Sequence, residues 1–345
     1  MKKILFSIIS VSVTTSLLYY VISQNRGTEW RAIILVLDPS LIAGYLILYG
    51  LGLLLRTGRY HFLLKSCRTP VLPSFGNLLG VTSIRNMLVD FLPARSGSLS
   101  YIILLNKAFK VDLSLCLTSF TYAVIFDNLA LGPVLSLAIL GEMLISEKNY
   151  PWLWVLVLII FTISLTVLFS LGRLTALLMR GYNHFLYRRP HSTRLRTFEP
   201  HIRNLSLSLA TIQKAHFFWP TLALSCLIRV VKYLYLYILL SAVLGALSGQ
   251  GGRLPLWLVA LGLVASEASA GLPVSGFMGF GIYEGVLGAV LSMHGIHLSQ
   301  AVLVSFAMHF LTQIIDYSLG GAALLYLLLR MALKRRLKLS KTLEK

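Results

Sequence analysis

Long apolar runs separated by short gaps constrain this chain more than any other feature. Six apolar runs are each close to or above the length that crosses a bilayer as a helix, about 20 residues. They lie at residues 4–22, 39–55 (with an alternative end at 64), 113–140, 152–171, 216–247 and 299–329. The 345 residues are 57% hydrophobic and only 12% charged. This composition predicts an all-α polytopic membrane protein and excludes a soluble domain.

Two further apolar regions, at about 75–105 and 256–294, are interrupted by charges and helix breakers. The first contains SIRNMLVDFLPARSGSLSY at 83–101, in which Pro93 and Gly97 are the predicted hinges. The second has its predicted hinges at Pro273, Gly276, Gly279 and Gly281. Irregular backbone and charge survive at membrane depth only inside the protein or beside water, and broken segments often form transporter binding sites. An alternative for the first region is an ordinary cytoplasmic loop.

The basic residues indicate the topology. Of the 31 lysines and arginines, 23 lie at the N-terminus, in three gaps and in the tail, and only four lie in the intervening gaps. The positive-inside rule then predicts a protein of the cytoplasmic (inner) membrane with both termini cytoplasmic. About six helices cross fully, and two re-entrant segments open from opposite faces as in an inverted repeat. The alternative, in which each broken segment crosses twice, gives ten short helices with the same ends.

The net charge of +19 comes mainly from basic residues in these gaps, so nucleic acid is not the expected partner.

We predict one integral membrane domain over 1–345. The first run resembles a signal peptide but lacks an A-x-A site, which favours an uncleaved span. The predicted parts are a first half at 1–172, a basic cytoplasmic elbow with an amphipathic helix at 173–214, a second half at 215–330 and a basic cytoplasmic tail at 331–345.

Charged residues inside the apolar segments are the predicted site. Arg229 and Lys232 are three residues apart and share a helix face, while Asp127 and Asp316 lie near the middles of their spans. Intramembrane charges are functional by default, although they could instead pair only to hold helices together. The predicted substrate-binding residues are Arg85, Arg95, Arg229, Lys232, Asp90, Asp127, Glu284 and Asp316.

Motifs for chemistry are missing from the sequence. It contains no H-E-x-x-H, G-x-S-x-G or P-loop pattern, so we expect neither an enzyme nor a cofactor. Its eight histidines and three cysteines have no metal-ligand spacing, which predicts no metal site.

Three sequence motifs resemble those of one known protein family. They are Arg56 and Arg59 after the second run, PARSGSLSY at 93–101 and GFMGFGIYEG at 276–285. The chain resembles the flippase-like transmembrane domain of the lysylphosphatidylglycerol synthases. That family typically has an acidic residue where this chain has Ser98, and Phe280 interrupts the second motif although Glu284 is kept.

The resemblance implies a stand-alone member without the aminoacyl-transferase domain, and lipid translocation rather than lipid synthesis. The expected function is a flippase or scramblase of an anionic phospholipid or lipid-linked phosphate. Two alternatives use the same features: a secondary transporter of a small soluble anion, and a non-transporting partner of an envelope enzyme. The sequence does not indicate an oligomeric state.

Overall fold

Helices form nearly all of the chain that the structure describes. The computed structural model describes residues 2–24, 37–67, 69, 71–146, 151–188, 215–248, 254–270, 276–293 and 295–343. The α-helices of this part are α1 (Lys2–Gln24), α2 (Pro39–Ser66), α3 (Phe75–Phe91), α4 (Ser100–Phe109), α5 (Leu113–Ser146), α6 (Pro151–Arg188), α7 (Ala215–Ser248), α8 (Leu256–Ala270), α9 (Ile282–Ser292) and α10 (Leu298–Leu343). Two short 3₁₀ turns, Pro93–Leu99 and Phe277–Gly279, lie between α3 and α4 and between α8 and α9. The predicted all-α fold is confirmed.

Four described helices, α2, α5, α7 and α10, are long and apolar enough to cross a membrane. Helix α2 begins where the sequence predicts, because the Asp38 carboxylate accepts the backbone N–H of Ser40 at 2.8 Å and Pro39 occupies the first turn. Helices α2 and α7 are antiparallel, since Gly52 packs on Tyr235 and Arg59 bonds to Ser225. The end of α2 therefore lies at the same face of the bundle as the start of α7.

The first broken segment is a helical hairpin. Its arms, α3 and α4, have 17 and 10 residues and contact each other. Each arm is shorter than the roughly 20 residues that a full crossing requires. The turn folds back onto α3 so closely that a Cβ on Gly97 would collide with the backbone of Leu88. Glycine is required there by close approach, and Pro93 begins the turn.

The second broken segment is also a hairpin. Its arms, α8 and α9, have 15 and 11 residues, and a Cβ on Gly262 would lie 2.8 Å from the side chain of Leu287. Gly279 and Gly281 have φ angles of +79° and +136°, which L side chains rarely adopt. The predicted hinge Gly276 is buried before this turn, and Pro273 lies outside the described residues.

The hairpins enter the bundle from opposite faces. Helix α2 ends where α3 begins, and α4 ends where α5 begins, so the first hairpin starts and finishes at one face. The second starts after α7 and finishes before α10, at the other face. Their two turns contact each other inside the bundle. This arrangement agrees with two re-entrant segments rather than with ten short crossings.

Two helices are longer than their apolar runs predict, and a third agrees with the longer alternative. Helix α2 continues to Ser66, close to the alternative end at 64, and includes Arg56 and Arg59, which the charge count assigned to a cytoplasmic gap. Helix α6 reaches Arg188, inside the predicted elbow, and α10 continues through most of the predicted tail to Leu343. The amphipathic helix predicted near 195–212 lies outside the described residues.

Candidate functional site

A cavity of about 210 Å³ lies where the two hairpin turns meet. Helices α2, α3, α5, α7, α8, α9 and α10 all contribute to its wall, as do both turns. The wall carries charges of both signs. Its described basic residues are Arg56, Arg85, Arg95, Arg229 and Lys232, and its acidic residues are Asp90, Asp127, Glu267 and Asp316.

Glu267 of α8 forms ion pairs with both basic residues of α7. Its carboxylate oxygens lie 3.1 Å from a guanidinium nitrogen of Arg229 and 2.5 Å from Nζ of Lys232. The shared helix face of Arg229 and Lys232 thus binds a carboxylate of the protein itself. Arg229 also donates to the hydroxyl of Tyr233 at 3.2 Å. These cations stabilise the packing of α7 on the second hairpin.

A second ion pair connects α2 and α5. Arg59 donates to both carboxylate oxygens of Asp127, at 2.6 and 3.0 Å, and to Ser225 of α7 at 2.8 Å. The Arg59 side chain is fully buried. Asp127 lines the cavity but is occupied by this bidentate contact, so it holds three helices together.

Three arginines of the cavity have no such partner. No carboxylate of the described residues lies within ion-pair distance of Arg56, Arg85 or Arg95. Arg56 donates to the side-chain oxygen of Asn86 at 2.9 Å, and Arg85 approaches the same oxygen at 3.4 Å. The Nε atom of Arg85 is buried with no hydrogen-bond partner. These three arginines are therefore the basic residues of the wall that form no ion pair with a described carboxylate.

Arg95 lies at the first hairpin turn with a φ angle of +53°. This left-handed conformation is uncommon for a residue other than glycine, and such strain clusters at functional sites. Met278, at the second turn, has φ +56°. Each turn thus holds one strained side-chain-bearing residue where the two turns meet.

The remaining wall is acidic and aromatic. The Tyr49 hydroxyl donates to Asp316 at 2.5 Å, and Asp90 lines the same cavity. Tyr45, Tyr49 and Tyr235 pack ring edge to ring face or tilted, with centroids 5.6 to 6.0 Å apart. This side of the wall is built from rings that pack on one another.

Glu284 lies outside the cavity wall, unlike the other predicted site residues. It is fully buried, accepts the backbone N–H of Gly281 at 2.6 Å and contacts Nδ1 of His309. It caps the start of α9, where a carboxylate is stabilised by the helix dipole. The prediction that it binds substrate directly therefore does not agree with its position. His309, its partner, does line the cavity.

The structure brings together the predicted residues Arg85, Arg95, Arg229, Lys232, Asp90, Asp127 and Asp316. The predicted site residues did not include Arg56, Glu267, His309 or the tyrosines, which also line this wall. The described residues contain no group of three or more His, Cys, Asp or Glu side chains placed to hold a metal ion.

The sequence matches the model of one known protein family. A family model described as the lysylphosphatidylglycerol synthase TM region matches residues 7–320. The chain belongs to this family. No curated protein and no solved structure matches the chain. The match covers both hairpins and every cavity residue described above, so the charged cavity lies within the part that defines this membrane-protein family.

Proposed function

We propose that this protein moves an anionic phospholipid or a lipid-linked phosphate across the cytoplasmic membrane, as a flippase or scramblase. The observation that supports this most is the set of Arg56, Arg85 and Arg95 facing one cavity without carboxylate partners among the described residues. A guanidinium binds a phosphate through two parallel hydrogen bonds. Membership of the family supports a membrane role for the chain.

The rim of the cavity favours a lipid over a soluble anion. Phe91 and Leu92, at the end of α3, are 45% and 38% exposed, and Leu92 also lines the cavity. The hairpin turns meet between the two faces of the bundle, so an apolar side chain exposed at this level toward the bilayer would contact acyl chains. The head group would occupy the charged cavity while the acyl chains stay in the bilayer. A transporter of a soluble anion needs no apolar rim.

Charge distribution gives the orientation within this proposal. Lys65 and Lys107 lie near the ends of α2 and α4, at the face where the first hairpin enters. Arg330 of α10 lies at the same face, because it donates to Asn77 in the first turn of α3. We name this the basic face and assign it to the cytoplasm. The first hairpin would then open from the cytoplasm and the second from the outside. Translocation involves no bond making, so the proposed protein is a carrier and not an enzyme.

Reconstituted liposomes test the proposal. Crossing of a fluorescent anionic phospholipid and of a polyprenyl phosphate is followed by quenching from outside, with a zwitterionic lipid in parallel. We expect accelerated crossing of an anionic lipid, and its loss in Arg85→Gln/Arg95→Gln. The matched control is Lys65→Gln, which removes a charge from an exposed position outside the cavity.

Two results would count against the proposal. The first is an absence of acceleration for every anionic lipid by protein that is folded and inserted. The second is uptake of a labelled soluble anion without lipid crossing, which would support the soluble-anion transporter.

A further inference from the structure

A chain of hydrogen bonds connects the second hairpin turn to α10, and its proton positions can be assigned in order. The carbonyl oxygen of Met278 lies 2.6 Å from the side-chain nitrogen of Gln313. A carbonyl oxygen only accepts, so the group that faces it is the amide NH₂ and not the amide oxygen. The same NH₂ lies 3.1 Å from Nε2 of His309. Because an NH₂ group donates, Nε2 of His309 accepts.

The other ring nitrogen completes the assignment. Nδ1 of His309 contacts Oε1 of Glu284, and the second carboxylate oxygen of Glu284 accepts the backbone N–H of Gly281 at 2.6 Å. An ionised carboxylate only accepts, so Nδ1 carries the proton. This hydrogen-bond chain therefore fits the neutral imidazole with its proton on Nδ1.

We propose that His309 is a proton-binding site that controls the second hairpin turn and couples lipid movement to proton uptake; the lipid cargo rests on the function proposed above. A proton added to Nε2 would point at the NH₂ of Gln313, and two donors cannot share that contact. Either the amide or the ring must turn. If the amide turns, the Met278 carbonyl loses its partner.

The surroundings of His309 contain charges of both signs. The ring packs on Phe280 and Tyr283, with centroids 4.9 and 4.6 Å away, and Glu284 contacts it from the same hairpin. The titratable and charged groups that face it are Glu284 and Tyr283 of the second hairpin, Asp90 and Arg95 of the first, and Asp316 on its own helix. Helix α1 contributes Thr14, which donates to the Phe280 carbonyl at 2.9 Å.

Loss of the hydrogen bond to the Met278 carbonyl would directly affect the turn that forms part of the cavity wall. Met278 and Gly279 are both left-handed, with φ angles of +56° and +79°, so the turn depends on its hydrogen bonds to keep this shape. A Cβ on Gly279 would lie 3.8 Å from the carbonyl oxygen of Asp90, which shows how closely the turn approaches the first hairpin. Protonation would therefore loosen the contact between the two turns beside Arg95.

Thiol labelling of the turn tests this without measuring transport. Met278→Cys is made in a background where Cys67, Cys116 and Cys226 are alanine, and its rate of reaction with a hydrophilic thiol reagent is measured over roughly pH 5 to 8, where imidazole titrates. His309→Asn is added as the comparison, because its amide can donate to Glu284 but cannot take up the proton. The ratio of the two rates removes the pH dependence of the thiol itself.

We expect this ratio to rise about fivefold at the acidic end, which corresponds to the loss of one net hydrogen bond. A ratio that stays constant with pH would overturn the proposal. If His309→Asn fails to fold, Gln313→Met replaces it, since it removes the bond to Met278 and keeps the apolar volume. We then expect fast labelling with no pH-dependent opening, and slow labelling would contradict the proposal.

A lipid-transport assay distinguishes failure of the proton site from failure of the lipid cargo proposed above. In liposomes with a pH gradient, we expect the gradient to drive anionic lipid in the wild-type protein and to leave the lipid distribution unchanged in His309→Asn. A pH-dependent turn in a protein that moves no lipid would support the proton site and reject the lipid cargo. Gradient-driven transport that persists in His309→Asn would reject the proton site and keep the cargo.

Discussion

Arg59 of α2 and Asp127 of α5 form a bidentate ion pair whose two N–O distances are 2.6 and 3.0 Å. The Arg59 side chain is fully buried, whereas that of Asp127 is 26% exposed and lies at the cavity wall. The pair holds α2 and α5 together beside the cavity, and Ser225 of α7 accepts a further hydrogen bond from Arg59. Removal of one partner therefore has a different effect from removal of both.

The first prediction follows from this asymmetry. Arg59→Leu leaves the Asp127 carboxylate without its partner and should destabilise the protein by about 3 to 5 kcal/mol. Arg59→Leu/Asp127→Leu removes both charges and should recover most of that loss. Thermal unfolding in detergent measures both variants. A double variant as unstable as the single one would show that α2 and α5 depend on the pair itself.

The second prediction concerns the arginine at the first hairpin turn. Arg95→Lys keeps the charge but loses the planar fork, so we expect most lipid transport to be lost with normal expression. Arg95→Gly should also lose transport but melt at the same or a higher temperature, because glycine relieves the left-handed strain. Transport assays and thermal unfolding are run on the same preparations. Near wild-type transport in Arg95→Lys would favour a role for this arginine as a topology anchor.

The third prediction uses the carboxylate that two cations share. Glu267→Gln leaves Arg229 and Lys232 side by side without a counter-charge, and should lower the melting temperature. An anionic lipid can supply the missing charge, so we expect its addition to restore more stability to this variant than to the wild type. Melting curves with anionic and zwitterionic lipid give the comparison. Equal restoration by both lipids would mean that the two cations do not reach the lipid.

The fourth prediction concerns glycine in the first hairpin. Gly97→Ala places a methyl group into the backbone of Leu88, so the turn cannot fold back and transport should be lost. Gly76→Ala, in α3 of the same hairpin, has open space and should keep transport with slightly higher stability. Both variants are compared by lipid crossing and by thermal unfolding. Full activity of Gly97→Ala would show that the observed turn is not the functional one.

The architecture could be predicted from the sequence because the lengths of the apolar runs and the positions of the basic gaps are properties of whole segments and do not depend on single contacts. Pro93 and Gly97 also located the first break, since a helix cannot pass through them at low cost. For the end of α2, the sequence left residues 55 and 64 as alternatives, and the helix ends at Ser66. Arg56 and Arg59 look like positive-inside residues in a charge count, although the leucines beyond them continue the helix.

Which residues pair across helices was harder to predict from the sequence. Glu284 and His309 are 25 residues apart, and only the packing of α9 on α10 brings them together. One signal was present, because His309, Gln313 and Asp316 recur along one side of α10 at helical spacing. The assignment of Glu267 to Arg229 and Lys232 likewise required the position of α8. Charge balance in the sequence indicated pairing but not the partners.

The meeting of two hairpin turns from opposite faces also has an electrical consequence. A transmembrane voltage acts on any charge that moves through it, at about 2.3 kcal/mol per elementary charge per 100 mV for a complete crossing. A head group resting between the turns has travelled only part of that drop, so the voltage acts on its entry and on its exit separately. In a cell with a negative interior, both steps favour outward travel of a negatively charged head group. Without any ATP-driven step, the membrane potential would then contribute to the direction of this carrier.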